Sequence, residues 1–264
     1  MTAPTRTALI TGASAGIGAT FARTLASDGL DLILVARRRE RLEELAAEII
    51  TAHGVRCEVF DADLSDRSTP QAIAAFLADR RLTVDVLINN AGLSNSVAFA
   101  EADWDALAGE LQVMVSAVTE LAHIVVPGMK ERRWGRIINV SSLAAFAPPG
   151  ESLLYTGIKS YVLNMSQALD MELKPHGVHV TALCPGFTHS EFHDVMGTRE
   201  AATKLPSVLW QEPEAVVREG WAAVNAGKPV CVPGVVNKIV SHAMRPVPFR
   251  LQYQLGRRMN PFKH

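Results

Sequence analysis

Cysteine is scarce in this chain, which has only Cys57, Cys184 and Cys231 among its 264 residues. None of the three has CxxC or Cys/His spacing, and an odd, widely spaced set argues against a disulfide framework. We therefore expect reduced thiols that act as small apolar side chains, and a cytoplasmic location. His189 and His193 stand four residues apart, but no third ligand pattern accompanies them, so no metal site is predicted.

Positive charge and long apolar runs are also lacking. Lys and Arg number 26 against 27 Asp and Glu, so the chain is not built to neutralise nucleic-acid phosphates. The most apolar long segment, residues 111–129, is interrupted by Glu120 and His123 and falls short of the about 18 continuous apolar residues of a transmembrane segment. The hydrophobic fraction of 48% excludes disorder as the main state.

Acidic residues are absent after Glu219. The first 219 residues carry 19 basic and 27 acidic groups, a net charge of −8. The basic residues of the remainder are Lys228, Lys238, Arg245, Arg250, Arg257, Arg258 and Lys263. The basic C-terminal tail, residues 235–264, can rest on an anionic membrane surface or pack on a neighbouring subunit. We favour the subunit, because Pro246 and Pro248 interrupt any long amphipathic helix.

Short apolar runs alternate with longer helical patterns. The runs predicted as strands are residues 7–11, 32–36, 57–60, 84–88, 137–140, 178–183 and 230–232. In the helical stretch 38–53, Leu42, Leu45 and Ile49 fall on one face. This alternation predicts an α/β, Rossmann-type fold, a doubly wound parallel sheet with helices on both faces. We expect a single domain over residues 1–264.

Residues 187–218 break the alternation and contain no predicted strand. A long irregular stretch in a compact domain is either functional or a misread element. We interpret it as a substrate loop, whose apolar residues from Phe192 to Trp210 join Phe146 and Leu153 in a mostly hydrophobic pocket. Alternatively, these side chains only cap the sheet core.

A glycine-rich turn, TGASAGIG at residues 11–18, joins the first strand to a helix. Glycines there let the backbone turn tightly beside a pyrophosphate, and the helix N-terminus offers free N–H groups to the anion. The spacing differs from the general dinucleotide fingerprint, so alone it is only moderately specific, and a structural turn is the alternative. The residues predicted to bind cofactor here are Gly12, Ser14, Gly16, Ile17 and Gly18.

The second strand is followed by Arg37, Arg38 and Arg39, with no acidic residue at its end. An acidic side chain there accepts from a ribose 2′-OH, whereas arginine accommodates a 2′-phosphate. One charge-assisted hydrogen bond contributes about 1.5–3 kcal/mol, or roughly 10- to 150-fold in affinity. We therefore predict NADP(H) over NAD(H), bound by Arg37. Arg38 and Arg39 are expected to begin a solvated helix face.

The next two strand ends are polar. Asp63 is predicted to accept from the adenine amino group, with Leu64 supporting the ring, unless the Asp-rich stretch 61–66 only caps the following helix. The fourth strand runs into a small polar turn at the sheet edge where ligands bind. The turn residues predicted to bind cofactor are Asn90, Ala91 and Gly92.

Ser142, Tyr155 and Lys159 carry the predicted chemistry. Tyr155 and Lys159 are four residues apart and share one face of a helix. A tyrosine acting near neutral pH needs a pKa about 3 below its usual 10, or about 4 kcal/mol. An ammonium about 4 Å from the phenolate supplies roughly that at an effective dielectric constant of 20. Ser142 closes the fifth strand and is predicted to hydrogen-bond a substrate carbonyl.

Taken in order, these motifs resemble the short-chain dehydrogenase/reductase family, in its single-domain branch. The resemblance runs motif by motif from about Arg6 to Gly186 and more loosely to about Val232. It adds the Pro185-Gly186 motif after strand six, and it adds Ser190, where the family often has a Thr that contacts the nicotinamide amide.

The resemblance implies a seven-stranded sheet and hydride transfer at an alcohol or carbonyl carbon. It implies Tyr155 as acid/base, Lys159 bound to the nicotinamide ribose, and a homodimer or homotetramer built on the helices around Met114 and Tyr155. We expect an NADP(H)-dependent reductase of the carbonyl or ketoacyl type, acting on a small apolar substrate. The alternative is an NADPH-binding sensor or structural partner with weak or vestigial catalysis.

Met114 is a departure from that family. Aligning residues 127–129 places it where the family usually has an Asn, which shapes a local helix irregularity and holds a water linked to the lysine. A thioether accepts only weakly and donates nothing. We hypothesise an active enzyme with an altered proton relay that uses Ser116 or a backbone carbonyl. Met114 as simple helix packing is the alternative.

Overall fold

The computed structural model describes residues 5–93, 97, 99–147, 154–189, 210–244, 248, 250, 251 and 254. The strands in this part of the chain are β1 (Thr7–Thr11), β2 (Asp31–Ala36), β3 (Cys57–Asp61), β4 (Val86–Asn89), β5 (Gly135–Val140), β6 (Val178–Leu183), β7 (Phe187–Thr188), β8 (Trp210–Gln211) and β9 (Val230–Cys231). The helices are α1 (Gly16–Ser27), α2 (Arg39–His53), α3 (Thr69–Asp79), α4 (Trp104–Leu111), α5 (Ala117–Glu131), α6 (Tyr155–Leu173), α7 (Pro213–Asn225) and α8 (Val235–Met244).

Within the described residues, one seven-stranded parallel sheet has the order β3-β2-β1-β4-β5-β6-β9. Leu9 of β1 pairs with Ile33 on one side and with Leu87 on the other. The strand order therefore reverses at β1, and a crevice opens between the carboxyl ends of β1 and β4, where ligands of open α/β sheets bind. The predicted Rossmann-type class is confirmed.

Successive strand residues face opposite sides of the sheet and fill two separate cores. Ile10, Leu34 and Ile88 pack with α1, α2 and α7, whereas their neighbours Leu9 and Ile33 pack with α3, α5 and α6. The strands are therefore apolar almost throughout, because both of their faces are buried. The predicted inner face of α2 is confirmed, since its three periodic residues are buried.

The expectation that residues 187–218 hold no strand is wrong. Phe187 pairs with Trp210, and Thr188 with Gln211, in a two-stranded parallel ladder. Helix α7 then begins at Pro213, inside the interval predicted as a substrate loop. Strands of two residues are too short to show a period of two, so the sequence pattern does not reveal them.

A continuous helical stretch, Trp104–Glu131, joins α4 to α5 through a π-helical turn at Gln112–Ser116. By length and composition alone this stretch is apolar enough to cross a membrane, which is weak evidence in a helix that also packs in a core. Val113 and Leu121 face the sheet and are buried. The stretch packs in the same core as α3 and α6, on one face of the sheet.

Candidate active site

The glycine turn is a backbone cradle closed by Asn90. Gly12 and Gly16 have φ of +66° and +53°, a region that side chains other than glycine rarely adopt. A Cβ on Gly18 would collide with the Gly12 carbonyl oxygen. The Asn90 Nδ2 donates to the carbonyl oxygens of Thr11 and Gly12 at 3.0 and 3.2 Å. The turn therefore packs as tightly as a pyrophosphate cradle requires.

Helix α1 starts directly from this cradle. Ala15 precedes the helix in an extended conformation, and its side chain has no atom that could accept from the first amides. Those N–H groups point out of the helix end and are suited to an anion. The residues of the turn thus fit the diphosphate of a dinucleotide.

Arg38 lies against the glycine turn. Its Nη2 and Nε are 3.0 and 3.3 Å from the Ser14 Oγ. Arg38 is exposed at the start of α2, as expected, and its side chain in addition reaches the glycine turn. Arg37 is two-thirds exposed, with Nη1 3.9 Å from the Asp63 Oδ2. Arg39 does lie on the surface, where it pairs with carboxylates of α2 and β3.

The Asp-rich segment after β3 is partly engaged in its own turns. The Asp63 Oδ1 accepts from the Ser65 N–H at 2.9 Å, which leaves the Oδ2 toward Arg37. Asp66 accepts from the Ser68 N–H at 2.8 Å. Leu64 is buried in the core that the sheet forms with α3, α5 and α6, so its side chain has apolar neighbours.

Ser142, Tyr155 and Lys159 are brought together at the carboxyl edge of the sheet. Ser142 follows β5, and its Oγ accepts from the Ala144 N–H at 3.1 Å. Helix α6 begins at Tyr155, whose hydroxyl hydrogen-bonds with Ser142. One helical turn later, the Lys159 Nζ lies 5.4 Å from the centre of the Tyr155 ring.

The electrostatics of this cluster differ from the expectation. Burial raises the pKa of Tyr155 to about 12, and the hydrogen bond with Ser142 only partly opposes this effect. Burial lowers the pKa of Lys159 to about 8, and its Nζ donates to the Val140 carbonyl at 2.9 Å. The predicted fall of the tyrosine pKa is wrong here, because desolvation outweighs the hydrogen bond with Ser142. Tyr155 is therefore protonated at neutral pH, as a proton donor must be.

Buried polar side chains behind the cluster were not predicted. The Asn89 Nδ2 donates to the Asn139 Oδ1 at 2.9 Å, and the Asn139 Nδ2 donates to the Ser166 Oγ at 3.0 Å. The Ser141 Oγ donates to the Lys159 carbonyl at 2.7 Å. The signal was the doublets Asn89-Asn90 and Ser141-Ser142. Along extended backbone, neighbouring side chains point to opposite faces, so only one member of each doublet can face the predicted site.

Met114 lies at the centre of the π-helical turn and is buried. A Cβ built on Gly92 would be 3.5 Å from the Met114 Sδ and 3.9 Å from the Lys159 Nζ. The thioether and the lysine ammonium therefore both lie beside Gly92. The helix irregularity that the resemblance attributes to an Asn is present with a methionine in its place.

Asn237 anchors the segment that follows β6. A Cβ on Gly186 would lie 2.6 Å from the Asn237 Nδ2, which donates to the Gln211 Oε1 at 2.8 Å. The carbonyl of Pro185 accepts from the Leu143 N–H at 2.8 Å. The Pro185-Gly186 pair is thus tied to the residues just after Ser142.

Some predicted residues lie outside the described part of the chain. These are Ser190, Leu153, His193 and the residues from Phe192 up to position 209. Within the described residues, no group of three or more His, Cys, Asp or Glu could hold a metal ion. His189 is described and stacks on the Trp210 ring with a centroid separation of 4.6 Å.

The three cysteines are free, and Cys184 and Cys231 are buried. Burial raises the pKa of Cys57 and Cys184 to about 12, and that of Cys231 to about 11. Thiolates are therefore scarce at neutral pH, in keeping with thiols that act as apolar side chains.

Comparison with known proteins agrees with this geometry. A sequence profile of the short chain dehydrogenase family matches residues 6–201. The very-long-chain 3-oxoacyl-CoA reductase of Phaeosphaeria nodorum is 34% identical over 215 residues, which are 80% of this chain but only 61% of that protein.

Solved structures give the same result. A short-chain dehydrogenase from Sphingobium yanoikuyae in complex with NADPH is 31% identical, with a TM-score of 0.80 over 92% of this chain and 97% of that one. The bulky-bulky ketone specific alcohol dehydrogenase from Comamonas testosteroni is 28% identical, with a TM-score of 0.76 over 92% and 95%. The chain therefore belongs to the short-chain dehydrogenase family, oxidoreductases that act on alcohol and carbonyl groups.

Proposed function

We propose that this chain is an NADP(H)-dependent oxidoreductase that interconverts a ketone and a secondary alcohol on an apolar substrate. The observation that carries the proposal is the cluster of Ser142, Tyr155 and Lys159 beside the glycine cradle. The Asn90 side chain binds the Gly12 carbonyl, and Gly92, two residues further along, lies beside the Lys159 Nζ. An acid/base group and an anion site therefore share one crevice.

Tyr155, Ser142 and Lys159 have separate roles in the proposed reaction. When bound, the nicotinamide supplies or accepts the hydride at the reacting carbon. In reduction, the protonated Tyr155 hydroxyl donates its proton to the substrate oxygen, and the Ser142 hydroxyl polarises that oxygen. Lys159, which is charged below its pKa of about 8, places a positive charge near the Tyr155 ring and favours the phenolate left behind.

NADP(H) is preferred because the adenosine side of the crevice is basic. Arg38 faces Ser14 at the glycine turn, and the largely exposed Arg37 stands opposite Asp63. Two guanidinium groups just after β2 support binding of a 2′-phosphate, and β2 ends without an acidic residue that would favour a free 2′-OH. The related Sphingobium enzyme was solved with NADPH, which supports the same choice.

The substrate is proposed to be apolar. Leu143 and Phe146 begin and end the 3₁₀ turn after Ser142 and pack with Val232, and Leu154 precedes Tyr155. The named substrates of two relatives, a very-long-chain 3-oxoacyl-CoA and a bulky ketone, are consistent with an apolar pocket.

We further propose a homodimer or homotetramer in a cytoplasmic setting. Helix α6 exposes Tyr161 and Met171 on its outer side, with 39% and 73% of each residue accessible. Large apolar side chains on an outer helix face are suited to a subunit contact. The free cysteines fit a reducing compartment.

The test is the initial rate of NADPH loss, with NADH in parallel, over a panel of apolar ketones and β-ketoesters. Tyr155→Phe should lower kcat by about 10²- to 10⁴-fold, since it removes the acid. Tyr161→Phe, the same change on the same helix, should leave kcat unaltered. Tight NADPH binding with no turnover in either direction, and no effect of Tyr155→Phe, would instead identify a binding protein.

A further inference from the structure

Helix α8 buries an amide side chain while apolar residues of the same helix face outward. Asn237 is 4% exposed, whereas Val235 and Ile239 are largely exposed. Burying an amide costs free energy unless its polar atoms find hydrogen-bond partners. The Asn237 Nδ2 donates to the Gln211 Oε1 at 2.8 Å and to the Pro233 carbonyl at 3.0 Å. These two bonds fix the direction in which the side chain points.

Two glycines leave room for this pair of amides. A Cβ on Gly186 would lie 2.6, 2.7 and 2.9 Å from the Asn237 Nδ2, Oδ1 and Cγ, so the face of the amide lies against the Gly186 backbone. A Cβ on Gly234, whose φ is +79°, would collide with the Gln211 Nε2. Each amide therefore fills the space where another residue type would have a side chain.

Gln211 connects the same amide to the ladder of β7 and β8. Gln211 pairs with Thr188 in that ladder, and its carbonyl accepts from the His189 N–H at 3.0 Å. The Thr188 Oγ1 donates to the Gly186 carbonyl at 3.2 Å. The segment 186–189 is therefore held by Asn237 directly at its start and through Gln211 further along.

This segment borders the candidate active site. The Pro185 carbonyl accepts from the Leu143 N–H at 2.8 Å, one residue after Ser142. Helix α8 also packs on the 3₁₀ turn that begins at Leu143. If Ser142 polarises the substrate carbonyl, the nicotinamide must reach the carbon of that carbonyl and therefore lies close to Pro185 and Gly186. Both of these residues are predicted to bind cofactor.

We propose that Asn237 is a positioning residue for the nicotinamide half of the cofactor. It acts through the Gly186 backbone, which its amide supports, and through Gln211. A displacement of about 1 Å in a group that orients a reactant can lower the rate by up to about 100-fold. The adenosine half is expected to bind at the glycine turn and Arg38, so its binding should not depend on Asn237. This inference rests on the proposed function, because it assumes that the crevice binds NADP(H).

The first measurement is of binding and needs no substrate. Isothermal titration calorimetry of the full chain gives the Kd for NADPH and for 2′-phospho-ADP-ribose, which has the same adenosine half but no nicotinamide. Asn237→Ala should raise the Kd for NADPH roughly two- to tenfold, about the contribution of one neutral hydrogen bond. The Kd for 2′-phospho-ADP-ribose should stay unaltered.

Asn225→Ala is the matched control. The Asn225 side chain also makes hydrogen bonds, and its Oδ1 accepts from the Arg136 Nε at 3.1 Å. Arg136 lies at the start of β5, at the edge of the sheet opposite to Ser142. Loss of this amide should therefore leave the Kd of both ligands unaltered.

The second measurement is the deuterium isotope effect on ketone reduction. Asn237→Ala should lower kcat roughly 10- to 100-fold. It should also raise the isotope effect with NADPH deuterated at the transferred position, because hydride transfer becomes slower relative to product release. A merely structural role of Asn237 would lower the amount of folded enzyme and leave the isotope effect unchanged.

Two variants of Gln211 guard against a folding defect, since Asn237 is buried. Gln211→Leu removes the acceptor but leaves Asn237 in place, and it should change the Kd for NADPH and the isotope effect in the same direction. Gln211→Glu keeps an acceptor for the Asn237 Nδ2 and should restore both values to within about twofold.

Some results would overturn the proposal. These are equal weakening of NADPH and 2′-phospho-ADP-ribose by Asn237→Ala, or unaltered binding and isotope effect in both Asn237→Ala and Gln211→Leu. If the unaltered chain binds neither ligand, the proposed function fails together with this inference. If it binds NADPH and reduces ketones but the variants match it, only the positioning role of Asn237 is refuted.

Discussion

Lys159 donates from its Nζ to the carbonyl oxygen of Val140 over 2.9 Å, and this bond holds a charged group in a buried place. The pKa of Lys159 is lowered to about 8, whereas Tyr155 stays protonated to a pH of about 12. We therefore expect kcat/KM for ketone reduction to fall as pH rises through about 8, by up to tenfold per pH unit. A pH–rate profile from 6 to 10 measures this. Lys159→Arg, which keeps its charge, should flatten the fall, and a flat profile for the unaltered enzyme would contradict the assignment.

The same lysine should lower the stability of the fold. Its pKa in the folded chain, about 8, lies below the usual 10.5, so between these pH values the unfolded chain binds more protons and stability rises with pH. At pH 7 the full penalty applies. Lys159→Met removes the cost of the buried ammonium together with one hydrogen bond. We therefore expect the free energy of unfolding to rise by about 2 kcal/mol and the Tm to rise by several degrees. Thermal unfolding at pH 7 and pH 10 is the check. The gain should shrink at pH 10, and an equal gain at both pH values would argue against this cause.

Arg38 should determine cofactor choice more than its neighbour Arg39. Arg38→Gln removes a guanidinium that lies on Ser14 at the glycine turn. We expect the Kd for NADPH to rise 10- to 150-fold, as one charge-assisted bond predicts, with the Kd for NADH unchanged. Arg39→Gln is the matched control, because Arg39 pairs with Glu43 and Asp61 on the surface. Fluorescence titration of both cofactors measures the effect, and equal weakening of NADPH and NADH would refute the 2′-phosphate role.

Met114→Asn tests the altered proton relay. An amide beside Gly92 and the Lys159 Nζ can hold a water that a thioether holds poorly. We expect a changed kcat and a shifted pH profile for reduction. Met114→Leu, which keeps volume and apolarity, should match the unaltered enzyme. If the Asn variant also matches it in rate and pH profile, Met114 is only helix packing.

The sequence predicted long buried elements better than side-chain directions. The bounds of β1 and β6 agree with the predicted runs residue for residue. Both faces of these strands are buried, so each strand reads as one nearly continuous apolar run rather than as an alternating pattern. The position of Arg38 could not be read from three consecutive arginines. It follows from where α2 begins, because Arg38 is the extended residue just before that helix.

The acid/base cluster was predictable as a set but not in its electrostatics. The order of motifs places Ser142, Tyr155 and Lys159 at one edge of the sheet. Their pKa values depend on burial, and spacing along a helix carries no information about burial by other elements. The hydrogen-bond partner of Lys159 is the Val140 carbonyl, a backbone group that every residue has, so the sequence does not reveal it.

The ladder of β7 and β8 joins the two ends of the segment between these strands. The His189 N–H donates to the Gln211 carbonyl at 3.0 Å, and Phe187 pairs with Trp210, so both ends of the intervening segment are fastened to each other. With its ends fixed, doubling the length of such a segment costs only about 0.6 kcal/mol in closure entropy. We therefore expect that residues 190–209, which the sequence predicts as part of a substrate loop, can be exchanged while Ser142 and Tyr155 keep their places.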